Sequence, residues 1–342
     1  MRSRALFWAF AFCASAVSAQ TTVSPWTVFE VPTDPRSAAL GGRLVASLEP
    51  DAHAALYQPA VVDSANAQRI AFDHVRYFGG MNASGVGYTW GTRNGWTWAT
   101  GVRFSGYGTF DETDASGNVV GAFSGGETVL QGTASRALNA RWRVAARGLL
   151  GMRNLDRETA GLLGMELGAH GLFVDQHFAV GAALTGWAGQ INIDGNQPTG
   201  PLQPNLQIGL AKGFAHAPFQ VHLRFSDLLT WDLAPPGTYD PVIDPLTGEL
   251  IPSGKWAFGD RLMRHVGLGT ELILSEALRI QLGFDYRRRA ELAISGRTGT
   301  NGFSIGTSFA VKQFQLRLSR NTYHFAGLST HLALNIPLSA WL

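Results

Sequence analysis

The segment GFSIG, residues 302–306, has the spacing of a nucleophile elbow and would make Ser304 an acyl-transfer nucleophile. That chemistry needs a strand, a sharp turn and a helix, with a base to take the hydroxyl proton. Here Phe303, Ile305 and Phe309 alternate with small residues, so the segment reads as an uninterrupted strand. Asp111, Glu112 and Asp114 lie close to Gly117 and bring the acids of a calcium loop together. Phe123 occupies the register where an EF-hand would need its closing glutamate, so an acidic surface turn at Ser116-Gly117-Asn118 is expected instead. The nine histidines have no H-x-x-x-H spacing and no cysteine to join them in a zinc site. Phosphate-binding glycine loops are absent. Neither an enzyme nor a resident cofactor is expected.

Arginine is the remaining residue type with chemical reach. Arg287, Arg288 and Arg289 in succession suggest a nucleic-acid patch, but the chain balances 27 Lys and Arg against 25 acids. Residues 1–19 read as a secretory signal: Arg2 and Arg4, a short apolar run at 5–14, and small residues at 17–19. Without them the formal charge falls from +2 to zero, which excludes a nucleic-acid partner held by excess positive charge. The single cysteine, Cys13, leaves with that segment, and Phe12 before it argues against lipidation.

Only 15% of residues are charged, against roughly a quarter in soluble domains. Beyond the signal, no run of about 18 apolar residues offers a transmembrane helix. A closed β-barrel crosses a membrane on alternating residues alone, and that alternation is present. Leu278, Ile280, Leu282, Phe284 and Tyr286 take even positions; Arg279, Gln281, Gly283, Asp285 and Arg287 take odd ones. The same period of two appears around Phe219–Phe225, Phe314–Leu318, Trp142–Ala146 and Leu332–Ile336.

It predicts fourteen strands, near 68–79, 83–91, 96–106, 122–137, 141–152, 161–174, 177–187, 204–214, 217–229, 258–274, 277–289, 299–310, 313–322 and 327–338. Short links follow the even strands, at 92–95, 138–140, 175–176, 216–218, 275–277 and 311–312. Long ones follow several odd strands, at 107–121, 153–160, 188–203, 230–257 and 290–298. Sorting of short and long links to opposite ends is the habit of outer-membrane barrels. Trp90, Trp96, Trp98 and Trp142 near one end and Tyr107, Trp187 and Tyr286 near the other would form interfacial belts.

The expected architecture is therefore all-β: a transmembrane antiparallel barrel of about 14 strands over residues 68–342. Residues 20–67 would sit in the lumen as a plug or hatch, or pack beneath it on the periplasmic side. The inward, lumen-lining positions would carry Arg103, Arg141, Arg143, Arg147, Arg224, Arg279, Arg287 and Arg317, against Glu166, Glu271 and Asp285. Such a lining either favours anions or forms an arginine–carboxylate network that fills a plugged barrel. Arg287 would end the lumenal face of its strand, and Glu291 is near enough to pair locally. Segments 107–121 and 230–257 are expected to be surface loops for a partner protein, through Phe110, Asp111, Asp114, Trp231 and Tyr239.

Several stretches resemble one family, in order along nearly the whole chain. FEVPTDPRSAALGG (29–42) is similar to its start, and YQPAVV (57–62) stands where it shows Asn-Pro-Ala-Leu-Leu. GYGTFDETDASGNVVGAFSGGE (106–127), AHAPFQVHLRFSDL (215–228), GFDYRRRAEL (283–292) and YHFAG (323–327) match its loops and turns. The chain resembles the PorV/PorQ family of outer-membrane barrels of the type IX secretion system. The resemblance implies a fourteen-stranded barrel like that of the long-chain fatty-acid channel. It also implies a non-enzymatic scaffold in the bacterial outer membrane, in contact with its lipid, holding other secretion and attachment proteins at the extracellular face. Two alternatives stay open: a FadL-type transporter of hydrophobic or anionic small molecules, and a PorV-like cargo shuttle.

Overall fold

The structure, a computed structural model, describes residues 26–338 except 92–93, 195–199, 235–237, 241, 244–248, 252–253, 293–298 and 325–326. The expected signal segment and the chain's last residues lie outside the described part. A strand in lipid has no water for its backbone N–H and C=O groups, so both its edges must be paired. Fourteen strands meet that demand by closing on themselves. They are β1 (Arg69–Arg76), β2 (Asn82–Gly91), β3 (Trp96–Thr113), β4 (Val119–Ala137), β5 (Trp142–Leu155), β6 (Glu158–Phe173) and β7 (Phe178–Asn192). The circuit continues with β8 (Asn205–Phe214), β9 (Ala217–Phe225), β10 (Val266–Ile273), β11 (Leu278–Asp285), β12 (Phe303–Val311), β13 (Phe314–His324) and β14 (Gly327–Pro337). Each pairs antiparallel with its sequence neighbours. The seam is β1 on β14, with Arg69 opposite Pro337 and Arg76 opposite Thr330.

The wall is inside-out relative to a soluble protein. Phe72, Val86, Leu130, Leu150, Leu163, Leu282 and Ile305 face outward and are exposed, while Gln131, Arg147, Glu166, Glu271, Gln281 and Arg317 face inward and are buried. Among the described residues no helix is long and apolar enough to cross a membrane. The outward apolar belt of a closed barrel is the surface that meets lipid. Trp90, Trp98 and Trp142 are exposed near the short-turn end and Trp187 near the other, where belts require them. Tyr107 and Tyr286 are not belt residues. The Tyr107 hydroxyl donates to Glu127, and that of Tyr286 to Asp260 in the short helix before the tenth strand.

Links of two to four residues, such as 138–141, 174–177 and 312–313, mark the periplasmic end. At the extracellular end the sequence expectations need correction. Residues 107–121 are not a loop: β3 and β4 run on as a hairpin whose turn is 114–118, held by the Asp114 carboxylate accepting from the Ser116 and Asn118 amides. Nor are residues 153–160, where β5 and β6 join through Asp156 and Arg157 alone. Residues 258–264, expected to be strand, form a helix, α4 (Phe258–Arg264). β11 stops at Asp285 rather than 289, because the Asp285 carboxylate accepts from the Arg288 amide and caps a helix, α5 (Tyr286–Glu291). The wall is uneven as a result: β3 to β7 have 14 to 19 residues, whereas β9 to β12 have 8 or 9.

Residues 26–67 run through the barrel interior, carrying the short helices α1 (Thr27–Glu30), α2 (Pro35–Ala39) and α3 (Ala54–Tyr57). α2 starts as helices do, with Asp34 accepting from the Ser37 amide at 2.8 Å and proline in the first turn. At one or two turns it would be unstable alone, so its order comes from the wall around it. β10 and β11 present glycine to it. A Cβ on Gly269 would lie 2.7 Å from the Leu40 carbonyl oxygen, and one on Gly283 closer still to Ala39. Only side-chain-free positions let the inserted backbone touch the strands.

Candidate functional site

The inner wall and the inserted segment form one continuous polar interface, followed here from the extracellular end downward. Trp26 donates its indole N–H to Gln190 at 3.0 Å and packs with Val28, Leu149 and Leu162 in an apolar cluster. Glu127 of β4 accepts from the Thr27 hydroxyl and the Val28 amide, which satisfies orphan donors at the start of α1. Arg103 of β3 donates to the carbonyls of Val28 and Val31 at 2.7 and 2.9 Å. Lower, Arg147 of β5 donates to the carbonyls of Ala54 and Ala55 and pairs with Glu166 of β6 at 3.0 Å. Glu166 also takes Arg43 of the segment at 3.2 Å. On the opposite wall Arg36 of α2 pairs with Glu271 of β10 at 2.7 Å, both side chains buried. Arg317 of β13 bridges Asp34 and Asp51, each at 3.0 Å. Near the periplasmic mouth Arg279 of β11 meets Glu49 and Arg143 of β5 meets Asp63.

Of the residues expected to line the lumen, Arg103, Arg147, Arg317, Glu166, Glu271 and Asp285 are buried and directed inward, and Arg143, Arg224 and Arg279 partly so. Arg224 pairs with Asp285 at 3.1 Å and donates to the Gly41 carbonyl. Two expectations are corrected. Arg141 is exposed at the turn before β5, its guanidinium 5.8 Å from the Phe173 ring, because the strand begins one residue later. Arg287 is on α5 rather than on the lumenal face of β11, pairing with Glu291 at 2.9 Å and Asp227 at 3.3 Å. Ser304 is an ordinary inward residue of β12, opposite Gly283 and Asn321, with no turn and helix behind it.

The residues expected to meet a partner fall at two places on the extracellular side. Phe110 is exposed on the long β3–β4 hairpin and stacks on Phe123 at 5.4 Å, with Asp111 beside it and Asp114 holding the tip. Trp231 stacks on His265 and packs on Phe258, and Tyr239 donates to Asp232. These contacts fold the described part of the 226–265 connection onto α4.

Sequence reasoning missed the segment's own half of the interface, namely Asp34, Arg36, Arg43, Asp51 and His53, and their wall partners Asp73 and Glu127. Asp73 and Glu127 carried a usable signal, since each has the inward parity of its strand. The segment residues carried none, because no period relates them to a wall. Asp34, His53 and Asp73 bring their ligand atoms within 4.8 Å of one another, a donor set suited to a metal. Those atoms are already engaged: His53 Nδ1 is 2.5 Å from Asp73 Oδ1, and the guanidinium on Asp34 opposes a cation. Burial alone would lower the pKa of His53, but the Asp73 carboxylate outweighs it and raises the ring above its ordinary value. Burial would likewise raise Asp51, yet Arg317, His53 and Arg36 hold that carboxyl far below the usual range.

No protein-family model and no curated protein matches the sequence. Solved structures do match. The toluene transporter TodX of Pseudomonas putida has a TM-score of 0.52 at 14% identity, over 90% of this chain and 97% of TodX. A TodX deltaS2 mutant, titled a monoaromatic hydrocarbon channel, scores 0.50 at 14% identity, over 88% and 96%. A FadL homologue of Pseudomonas aeruginosa scores 0.49 at 11% identity, over 90% and 99%. The chain is a bacterial outer-membrane β-barrel. At such identities the likeness carries the fold and nothing of the chemistry. The overlap with TodX is longer than the span Arg69–Pro337, so it takes in residues outside the wall. Of these, TodX is named a toluene transporter and its mutant a monoaromatic hydrocarbon channel.

Proposed function

We propose that the protein is an outer-membrane channel for hydrophobic small molecules, in which residues 26–67 serve as a plug. The observation that carries this reading is the shared architecture with TodX, a toluene transporter, over nine-tenths of the chain. The interior is consistent with it. Among the described residues the buried pairs Arg36–Glu271 and Arg317–Asp51 join the inserted segment to the wall across the lumen, so passage there requires the segment to give way. No step in this function is chemical, and no side chain is assigned a catalytic part.

The test is uptake by cells with and without the protein, using toluene, a long-chain fatty acid and a sugar as probes. Faster entry of one hydrophobe with no change for the sugar is expected. Equal entry of every probe, with the barrel folded in the outer membrane, would overturn the channel. A second reading, the surface scaffold implied by the secretion-family resemblance, draws on one observation. The β3–β4 hairpin keeps Phe110, Val119 and Val120 exposed at 42 to 63%. Stoichiometric recovery of surface proteins with the tagged barrel in mild detergent, lost on shortening that hairpin, would favour the scaffold over the channel.

A further inference from the structure

The outer wall carries a concavity where the strands are shortest. Leu268 of β10, Leu282 and Phe284 of β11, and Phe303 and Ile305 of β12 surround a space of about 510 Å³, with Arg320 of β13 among its lining. Its floor is closed. β10 to β13 are paired residue by residue across it, from Leu268–Phe284 through Leu282–Ile305 to Ile305–Arg320. On the lumenal side of the same strands Gly269, Gly283 and Gly306 are pressed against Ala39 and Leu40 of the inserted segment. An occupant of the groove therefore meets the membrane and not the lumen.

Arg320 has the outward parity of its strand, beside Leu316 and Leu318, and is exposed. It makes no ion pair or hydrogen bond with any described residue. An arginine on the lipid face is destabilising at the bilayer midplane and tolerated near the interface. Ile305, directly across from it, is the third residue of β12 from the extracellular end. That sets Arg320 close to the upper edge of a wall that is low on this side.

We infer that this groove is a binding site for an outer-leaflet lipid, with an acyl chain along Leu268, Leu282, Phe303 and Ile305 and a phosphate paired with Arg320. The volume is in the range of pockets that enclose a small ligand. The charge is of the sign that a phosphate needs, and guanidinium matches phosphate geometry with two parallel donors. The site is separate from the proposed channel, because its floor is unbroken and its occupant arrives from the bilayer. It stands whether or not a hydrophobe crosses the lumen.

The test is mass spectrometry of lipid retained by the full-length protein purified from its own outer membrane in mild detergent. Three variants are compared: Arg320→Gln, Ile305→Trp to fill the groove, and Leu163→Trp as an outward control on the far wall. A stoichiometric phosphate-bearing lipid is expected on the wild type and on Leu163→Trp. Retention should fall about tenfold in Arg320→Gln, the effect of losing one charge-assisted contact, and comparably in Ile305→Trp. Equal retention in all four proteins, or a retained hydrophobe without phosphate, would overturn the inference. Heat-shifted gel mobility reports whether each barrel is folded. Should Ile305→Trp fail to fold, Arg320→Gln decides alone, since removing an exposed, unpaired side chain leaves the wall intact.

Discussion

Replacing Glu271 by alanine should loosen the inserted segment without disturbing the barrel. Glu271 is fully buried and is the main anchor of Arg36, whose Nε and NH2 groups both donate to it. Without it the guanidinium keeps only the Ser47 hydroxyl at 3.2 Å and the Asp51 carboxylate at 3.5 Å, while Gln281 keeps Ser308 at 3.0 Å. Removing one partner of a buried pair costs about 3–5 kcal/mol, because the other charge stays desolvated. The backbone pairing of β10 with β9 and β11 does not involve that side chain, so the loss falls on the contact between α2 and the wall. Hydrogen exchange at Ala38 and Leu40, whose amides donate to Asp34 and Arg36 at 3.0 and 3.1 Å, reads that contact directly. At about 1.4 kcal/mol per decade, exchange there should quicken roughly a hundredfold to a few thousandfold, with the strands unchanged. Joint replacement, Arg36→Met with Glu271→Leu, removes both charges and should restore most of the protection. Less than about a threefold change in the single variant, or a joint variant as loose as the single one, would refute the idea that this pair holds the segment.

Three further outcomes follow from the same contacts. His53 has a raised pKa when folded, so its contribution is full below its ordinary value of about 6.5 and is lost as pH rises through the raised one. Protection factors at residues 51–58, taken relative to the intrinsic base-catalysed rate, should therefore fall toward alkaline pH, and His53→Gln should flatten that dependence. Gly269→Val would drive a side chain into the Leu40 carbonyl and should destabilise the segment by about 1–3 kcal/mol, seen as protease cleavage between residues 33 and 45 in the variant only. Arg143→Ala, which frees Asp63, should expose residues 59–67 to exchange, whereas Arg141→Ala should leave exchange and heat-shifted mobility within the roughly 0.5 kcal/mol of an ordinary surface change.

Legibility in the sequence followed the reach of each signal. Leu278 to Asp285 announced a strand and its two faces because alternation is local and needs no partner to be read. The loops were legible in position only. Asp285 ends β11 by capping α5, and α4 holds residues that alternation had assigned to β10, because in short apolar stretches helix and strand periods overlap. The extended β3–β4 hairpin was hidden by its glycines and acids, which look like a loop until Phe110 is seen stacked on Phe123.

By itself, then, the amino-acid order determined most of the wall: about fourteen strand segments, the outward face wherever alternation is clear, and which end carries the short turns. Tertiary structure alone decided between the two places open to residues 26–67, the lumen or the periplasmic side, and what they bind. Arg36 finds Glu271 and Asp34 finds Arg317 across 235 and 283 residues of chain, and nothing periodic links those positions. Even the glycines at 269 and 283, written plainly in the strands, gain their meaning only when a second backbone comes to rest against them. A strand's face follows from residues two apart, whereas the seat of an inserted segment is defined by the closed barrel around it.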